Sequence, residues 1–308
     1  MTATLTPPSR VHGPSPISRQ PATPSSATKR HAPSKLRSLL SMRELPVIAA
    51  LIALVLLTWT INPRFLSAQG VRDLFLNATI AMLMAAGQSL IIQSEGVDLS
   101  VGSILGCTAF ATGFLFATNP GLPIGVVFVA GIVLGALLGA FNGLLVTQAK
   151  VPAMVITLGT LYVFRGGLNW WAGSTQYFAG DRPQAFGDLG VATIAGFPLL
   201  TLLAVIVIVI VSLYQRYARS GRDLYAIGSD RAAAAVYGIP VANGALVGLG
   251  GVLYASRFNS VGATTGAGME LDIVAACVVG GVAMTGGVGT AYGAAIGALL
   301  LTTMTSAL

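Results

Sequence analysis

Two stretches of this chain set acidic side chains at the head of glycine-rich apolar sequence. One is Gly87–Gly106, GQSLIIQSEGVDLSVGSILG, which carries Asp98, Ser100 and Ser103. The other is Met269–Gly289, MELDIVAACVVGGVAMTGGVG, which carries Glu270 and Asp272. An acidic residue at the middle of a membrane span costs about 2.5–3.5 kcal/mol on insertion scales. Glycine-interrupted backbone at that depth is tolerated only inside protein or beside water. Two roles are open to these carboxylates. They can cap the helices that follow, accepting from free N–H groups at the positive end of the helix dipole. They can also line or gate a polar pathway. Arg165 has a similar pair of readings: it snorkels to the outer surface, or it pairs with an acidic residue inside a bundle.

Other chemistry has little support. No G-x-x-x-x-G-K-[ST], H-E-x-x-H or G-x-S-x-G string occurs, so neither nucleotide binding nor hydrolysis is expected of this chain. Both histidines, His12 and His31, precede the first apolar run, and Cys107 and Cys277 sit within apolar runs. The expectation is no enzyme, no metal and no cofactor. An ion- or proton-coupled secondary transporter using Asp98, Glu270 or Asp272 is the alternative to a subunit driven by a separate energy source.

The elements that hold these residues are membrane spans. The chain is 54% hydrophobic and 9% charged, against about 25% charged in soluble domains. Its net charge of +7 is concentrated in the tail, where seven basic residues from Arg10 to Arg43 precede the first apolar run. Nucleic acid is therefore not an expected partner; the lipid bilayer is. Residues 1–43, rich in Pro, Ser and Thr, have the composition of a disordered cytoplasmic tail. Six spans are expected at Leu45–Ile61, Leu76–Gln93, Ser100–Thr118, Ile124–Val146, Val151–Trp171 and Phe197–Tyr214. Alternation puts the tail, Lys150 and the basic loop bearing Arg216, Arg219, Arg222 and Arg231 on the cytoplasmic side.

The last third is less regular. Ala232–Ala255 reads as one span by hydropathy, whereas Ile273–Met284 and Ala291–Thr302 are each short for a crossing. The Gly286–Gly289 break between them suggests shortened or re-entrant helices. The expected fold is an all-α polytopic bundle of about 8–10 spans, covering residues 44–308. Gly131, Gly135, Gly139 and Gly143 recur every four residues, as do Gly289, Gly293 and Gly297. Such spacing puts glycine on one helix face, where two backbones can approach closely.

Four signatures occur in order: GVDLSVGS at Gly96–Ser103, VPAMVITLGTLYVFRGG at Val151–Gly167, GRDLYAIGSDRAAAAVYGI at Gly221–Ile239, and GMELDIVAACVVGGVAMTGGVGT at Gly268–Thr290. With them the chain resembles the permease subunits of bacterial ABC importers for ribose, xylose and related sugars, over roughly residues 45–308. MLMAAGQSLII at Met82–Ile92 and AGSTQ at Ala172–Gln176 are similar to the rhamnose and autoinducer-2 branch. The resemblance implies an inner-membrane subunit with a cytoplasmic N-terminus. Its implied partners are two cytoplasmic ATPase subunits, a periplasmic sugar-binding protein and a second permease copy or paralogue. It adds Thr157 to the pathway candidates. It makes 215–240 the coupling loop, with Gly221, Arg222, Arg231, Ala232, Ala233, Ala234 and Gly238 as ATPase-coupling residues. Ala232–Gly238 would be the coupling helix, with Ala232 where relatives carry an acidic residue. Pro240–Gly244 would be a direct connection that leaves only Gly244–Ala255 for the next span. Relatives of this kind continue through one more span, so the resemblance also implies a missing final crossing.

Overall fold

The computed structural model describes residues 44–149, 151–226 and 238–307. The expected tail, Lys150, positions 231–237 of the coupling loop and Leu308 lie outside these residues. Among the described residues the chain is a helical bundle. Its helices are α1 Leu45–Ile61, α2 Ala68–Gln93, α3 Val101–Thr118, α4 Ile124–Ala149, α5 Ala153–Ala172, α6 Gln184–Leu189, α7 Leu199–Tyr217, α8 Arg219–Ala226, α9 Ile239–Arg257, α10 Met269–Val279 and α11 Ala291–Ala307. Helices α2, α3, α4, α7 and α9 are long and apolar enough to cross a membrane, and α1 and α11 are shorter apolar helices. The polar stretch after α5 forms two small antiparallel pairs. Tyr177–Phe178 joins Ser260–Val261, and Thr193–Ile194 joins Phe197–Pro198.

Helix α2 is the axis of the bundle. It packs against α11, α9, α7 and α10, and every side chain from Met82 to Gln93 is buried. It begins at Ala68, well before the expected Leu76, because the Ser67 side chain accepts from the Gly70 N–H at 3.1 Å and so caps its first turn. By contrast, α4 and α7 expose apolar stripes such as Val129, Val133 and Leu137, or Ile206, Val209 and Ile210.

The last third departs from its expected boundaries. Helix α9 starts directly after Gly238, which takes the left-handed conformation at φ +68°. Pro240 stands in its first turn, where no intrahelical N–H bond is lost. Pro240–Gly244 is thus the start of a 19-residue helix, not a connector. The Ala232–Ala255 window missed this because hydropathy does not register a glycine-made helix start. Helix α10 has 11 residues, about 16 Å at 1.5 Å per residue, too short to cross. Helix α11 continues to Ala307, past the expected Thr302. Gly289 precedes α11 and lies in a turn at φ +128°, so only Gly293 and Gly297 belong to that helix.

Glycines let α4 and α9 pack backbone against backbone. A Cβ on Gly135 would overlap the Gly244 carbonyl oxygen, and one on Gly139 would overlap that of Pro240. Gly131 fits beneath Val252, and a Cβ on Gly143 would come within 3.0 Å of the Pro240 ring. Gly293 and Gly297 sit in the same way on Gly280 and Ala276 of the α10 end. Gly135→Leu should therefore force α4 and α9 apart. Its overpacking cost is about 1–3 kcal/mol or more, read as a lower thermal midpoint of the detergent-purified chain. Gly159→Ala, with open space at its Cβ position, should leave the midpoint unchanged or slightly raised.

Candidate functional site

The link between α2 and α3 carries the most connected polar group in the bundle. The Asp98 carboxylate is buried. Its Oδ1 accepts from the Ser100 backbone N–H at 2.9 Å and the Ser100 hydroxyl at 2.7 Å. Its Oδ2 accepts from Asn243 Nδ2 of α9 at 3.0 Å. Asn142 Nδ2 of α4 donates to Ser100 Oγ at 2.7 Å and reaches Asp98 Oδ1 at 3.5 Å. Asp98 thus closes an Asx-turn onto residue 100 and gathers two other helices. It does not cap α3, whose first N–H groups take no side-chain acceptor from Ser100.

Neighbouring candidates brace the same link. Ser103 Oγ donates to the Ser100 carbonyl at 2.7 Å. Thr157 of α5 donates to the Val97 carbonyl at 2.9 Å. Val97, Asp98 and Ser100 are therefore tied to α4, α5 and α9 together. Asn142 and Asn243 were not picked out from sequence as site residues. Their signal was a strongly polar side chain within a long apolar run.

A second polar node joins the helix ends near the basic loop. Gln215 of α7 donates to Gln93 Oε1 of α2 at 3.1 Å and accepts from the Ala291 N–H of α11 at 2.9 Å. The Gly287 N–H donates to the Gln93 carbonyl at 2.9 Å. Tyr225 of α8 donates to the Gly289 carbonyl at 3.0 Å. Gly221 packs on the Tyr214 carbonyl, and exposed Arg222 donates to the Tyr217 carbonyl at 3.3 Å. Helix α8 is thereby seated on the ends of α7 and the Gly289 turn. Arg231, Ala232, Ala233 and Ala234 lie outside the described residues, and Gly238 is the N-cap of α9.

The second acidic stretch is approached by an inward arm. After Ser260–Val261 the chain turns through Gly262–Gly268 and packs on the start of α3. A Cβ on Gly102 would strike the Gly266 carbonyl and Glu270 Oε2. Glycine at 102 is what lets the two acidic stretches meet. Arg165 of α5 holds this arm. Its Nη1 donates to the carbonyls of Ala263 at 3.0 Å and Thr265 at 2.6 Å. Neither expected reading of Arg165 covers this: it satisfies backbone of a non-helical segment, which lipid would leave unsatisfied. Helix α10 begins at Met269, so Glu270 and Asp272 are in its first turn and not ahead of it. Glu270 Oε1 accepts from the Gly268 N–H at 3.3 Å, Glu270 Oε2 is buried without a partner, and Asp272 is exposed. Arg165→Leu should strip two carbonyls of their donor, at about 1–3 kcal/mol each for a buried group left unpaired. The expected result is a lower thermal midpoint and faster proteolysis between residues 258 and 269 of the purified chain.

Comparison with known proteins matches this architecture to transport permeases. Residues 70–308 match the family described as branched-chain amino acid transport system / permease component. The chain is 36% identical over 276 residues to the "Autoinducer 2 import system permease protein LsrC" of Enterobacter sp. (strain 638), covering 87% of this chain and 79% of that one. The protein of the same name from Klebsiella pneumoniae subsp. pneumoniae is 35% identical over 277 residues, with 87% and 79% covered. That from Escherichia coli (strain K12 / DH10B) is 33% identical over 282 residues, with 89% and 81% covered. No solved structure matches the chain. The chain is a multi-pass membrane protein and belongs to the branched-chain amino acid transport system permease component family, as a permease subunit of the sugar-type ABC importers.

Proposed function

We propose that this chain forms one half of the translocation path of an importer for a small sugar or sugar-like solute. Its relatives are named for autoinducer-2 import, and the quoted signatures resemble those of pentose and deoxyhexose permeases. In this reading the basic end, with Arg216, Arg219 and Arg222, is cytoplasmic by its positive charge. Two ATPase subunits dock on the 215–240 loop, a periplasmic binding protein delivers solute at the opposite end, and a second permease copy or paralogue completes the path. Family membership sets aside the ion- or proton-coupled alternative.

The observation that carries this reading is the bond from Asn243 to Asp98. Asn243 lies five positions after Gly238, at the point where the coupling loop becomes α9. A push on the loop by a closing ATPase moves the start of α9. Through Asn243 and Asp98 the α2–α3 link must follow, and Asn142 extends the tie to α4. Buried packing has discrete arrangements, so a small shift there is passed on as a rigid-body step. Asp98, Ser100, Ser103 and Thr157 act in this reading as the joint beside the path.

Gly238 is the place to test it. Its φ of +68° is costly for a β-branched residue, whereas asparagine visits that region routinely. In proteoliposomes of the complete importer, Gly238→Val should lower solute uptake at least tenfold while the ATPase stays bound and hydrolyses ATP. Gly238→Asn should keep more than half of the uptake. Equal uptake by both variants and the wild type would remove α9 from the coupling route.

A further inference from the structure

The arm at 262–268 carries irregular backbone deep into the bundle. It starts from the Ser260–Val261 strand, which pairs with Tyr177–Phe178. A Cβ on Gly113 of α3 would strike the Tyr177 ring, one on Gly106 the Thr265 carbonyl, and one on Gly102 the Gly266 carbonyl. Gly113 and Gly102 stand about 16 Å apart along α3 at 1.5 Å per residue. The arm therefore descends about half of a hydrocarbon core of about 30 Å. At that depth only protein or water can satisfy free peptide groups. Yet Thr264, Ala267 and Gly268 are exposed, and the Thr264 N–H donates to no acceptor among the described residues. The subunit leaves this side of the arm open, and lipid cannot satisfy it.

Helix α5 adjoins the arm and holds it through Arg165. It has 20 residues, yet it is not among the five helices long and apolar enough to cross a membrane. At 100° per residue, Val155, Gly159, Tyr162, Gly166 and Asn169 fall within an arc of about 80°. All five are exposed. This face is uncharged and combines an aromatic ring, an amide and backbone bared by two glycines. Glycine weakens a helix interior. A Cβ on Gly159 or Gly166 would meet nothing within 4 Å, so packing within the subunit gives no reason for glycine at either place. The exposed residues of α4 between 124 and 146, and of α7 between 199 and 214, are by contrast all apolar or glycine.

We propose that the open side of the arm and the exposed face of α5 are this subunit's half of the solute path, which a second permease subunit closes from across. Water and an uncharged polyhydroxylated solute then satisfy the bare peptide groups of the arm. The Tyr162 ring offers a flat apolar surface to C–H groups of the solute, and Asn169 offers a donor and an acceptor to its hydroxyls. Glycine at 159 and 166 keeps the path wide. The proposal rests on the importer reading above and adds which face of the chain meets the solute.

The test uses intact cells and inverted membrane vesicles carrying the complete importer. Autoinducer-2, D-ribose and L-rhamnose serve as transported probes. An impermeant maleimide should label Thr264→Cys from at least one side of the membrane, above the background of the wild type, whose Cys277 is buried and Cys107 half-buried. That labelling should lower uptake at least tenfold with the ATPase still co-purifying. Gly166→Trp should leave the thermal midpoint of the detergent-purified chain unchanged, because nothing stands at its Cβ position, yet lower uptake at least tenfold. Tyr162→Ala should raise the apparent KM for uptake at least fivefold, and Tyr162→Phe should keep it within twofold of the wild type. Thr264→Cys unlabelled from both sides, with lipid or the second subunit sealing the arm, would overturn the proposal. So would wild-type uptake after labelling or in Gly166→Trp, or a wild-type KM in Tyr162→Ala. Labelling needs no solute, so it decides even where none of the three probes is taken up. Loss of the importer reading would show separately, as a wild-type chain that retains no ATPase, whatever the labelling result.

Discussion

The structure depends on one constraint: polar groups inside a membrane bundle must find their partners in the protein. The Asp98 carboxylate meets it with donors from Ser100, Asn142 and Asn243. A charged or polar group left alone there would cost several kcal/mol, so the α2–α3 link and the two helices α4 and α9 that supply those donors are bound to one another by the need to satisfy it. Arg165 meets the constraint from the other side. Its guanidinium supplies donors to the carbonyls of Ala263 and Thr265, which lets an irregular arm enter the bundle. The acidic and basic groups within the bundle thus act first as partners of backbone and amide groups.

Glycine makes these meetings geometrically possible. Gly131, Gly135 and Gly139 bring α4 against Gly244 and Gly248 of α9, close enough for Asn142 and Asn243 to share one carboxylate. Gly102 admits Gly266 and Glu270 to the start of α3. Gly238, Gly266 and Gly268 take positive φ where a helix start or the inward arm requires it. Association of helices in lipid gains from such close van der Waals packing and not from hydrophobic transfer. The same faces that stabilise the bundle therefore set the spacing of its polar joint.

Much of this was legible in the sequence, and what was not has physical reasons. Composition and apolar runs indicated a helical membrane bundle, and the break at Gly286–Gly289 pointed to a helix too short to cross, which is α10. Asp98 stood out by its cost in lipid, but its partners did not. Which apolar span brings its lone amide to a given carboxylate is set by tertiary packing, so Asn142 and Asn243 were missed. The partner of Arg165 was missed for a related reason: carbonyl acceptors belong to every residue and leave no mark in side-chain chemistry. The start of α9 was misplaced because an apolar window reads through Gly238, whose role is conformational.

The claim that the Asp98–Asn243 bond joins the coupling loop to the bundle is tested most directly by a double-mutant cycle. Asp98→Asn, Asn243→Ala and the double variant would be compared for solute molecules imported per ATP hydrolysed in proteoliposomes of the complete importer. If the two residues act through one bond, each single change lowers that ratio and the double variant is no worse than the poorer single one. Losses that simply multiply would show that the two side chains act independently and would contradict the account.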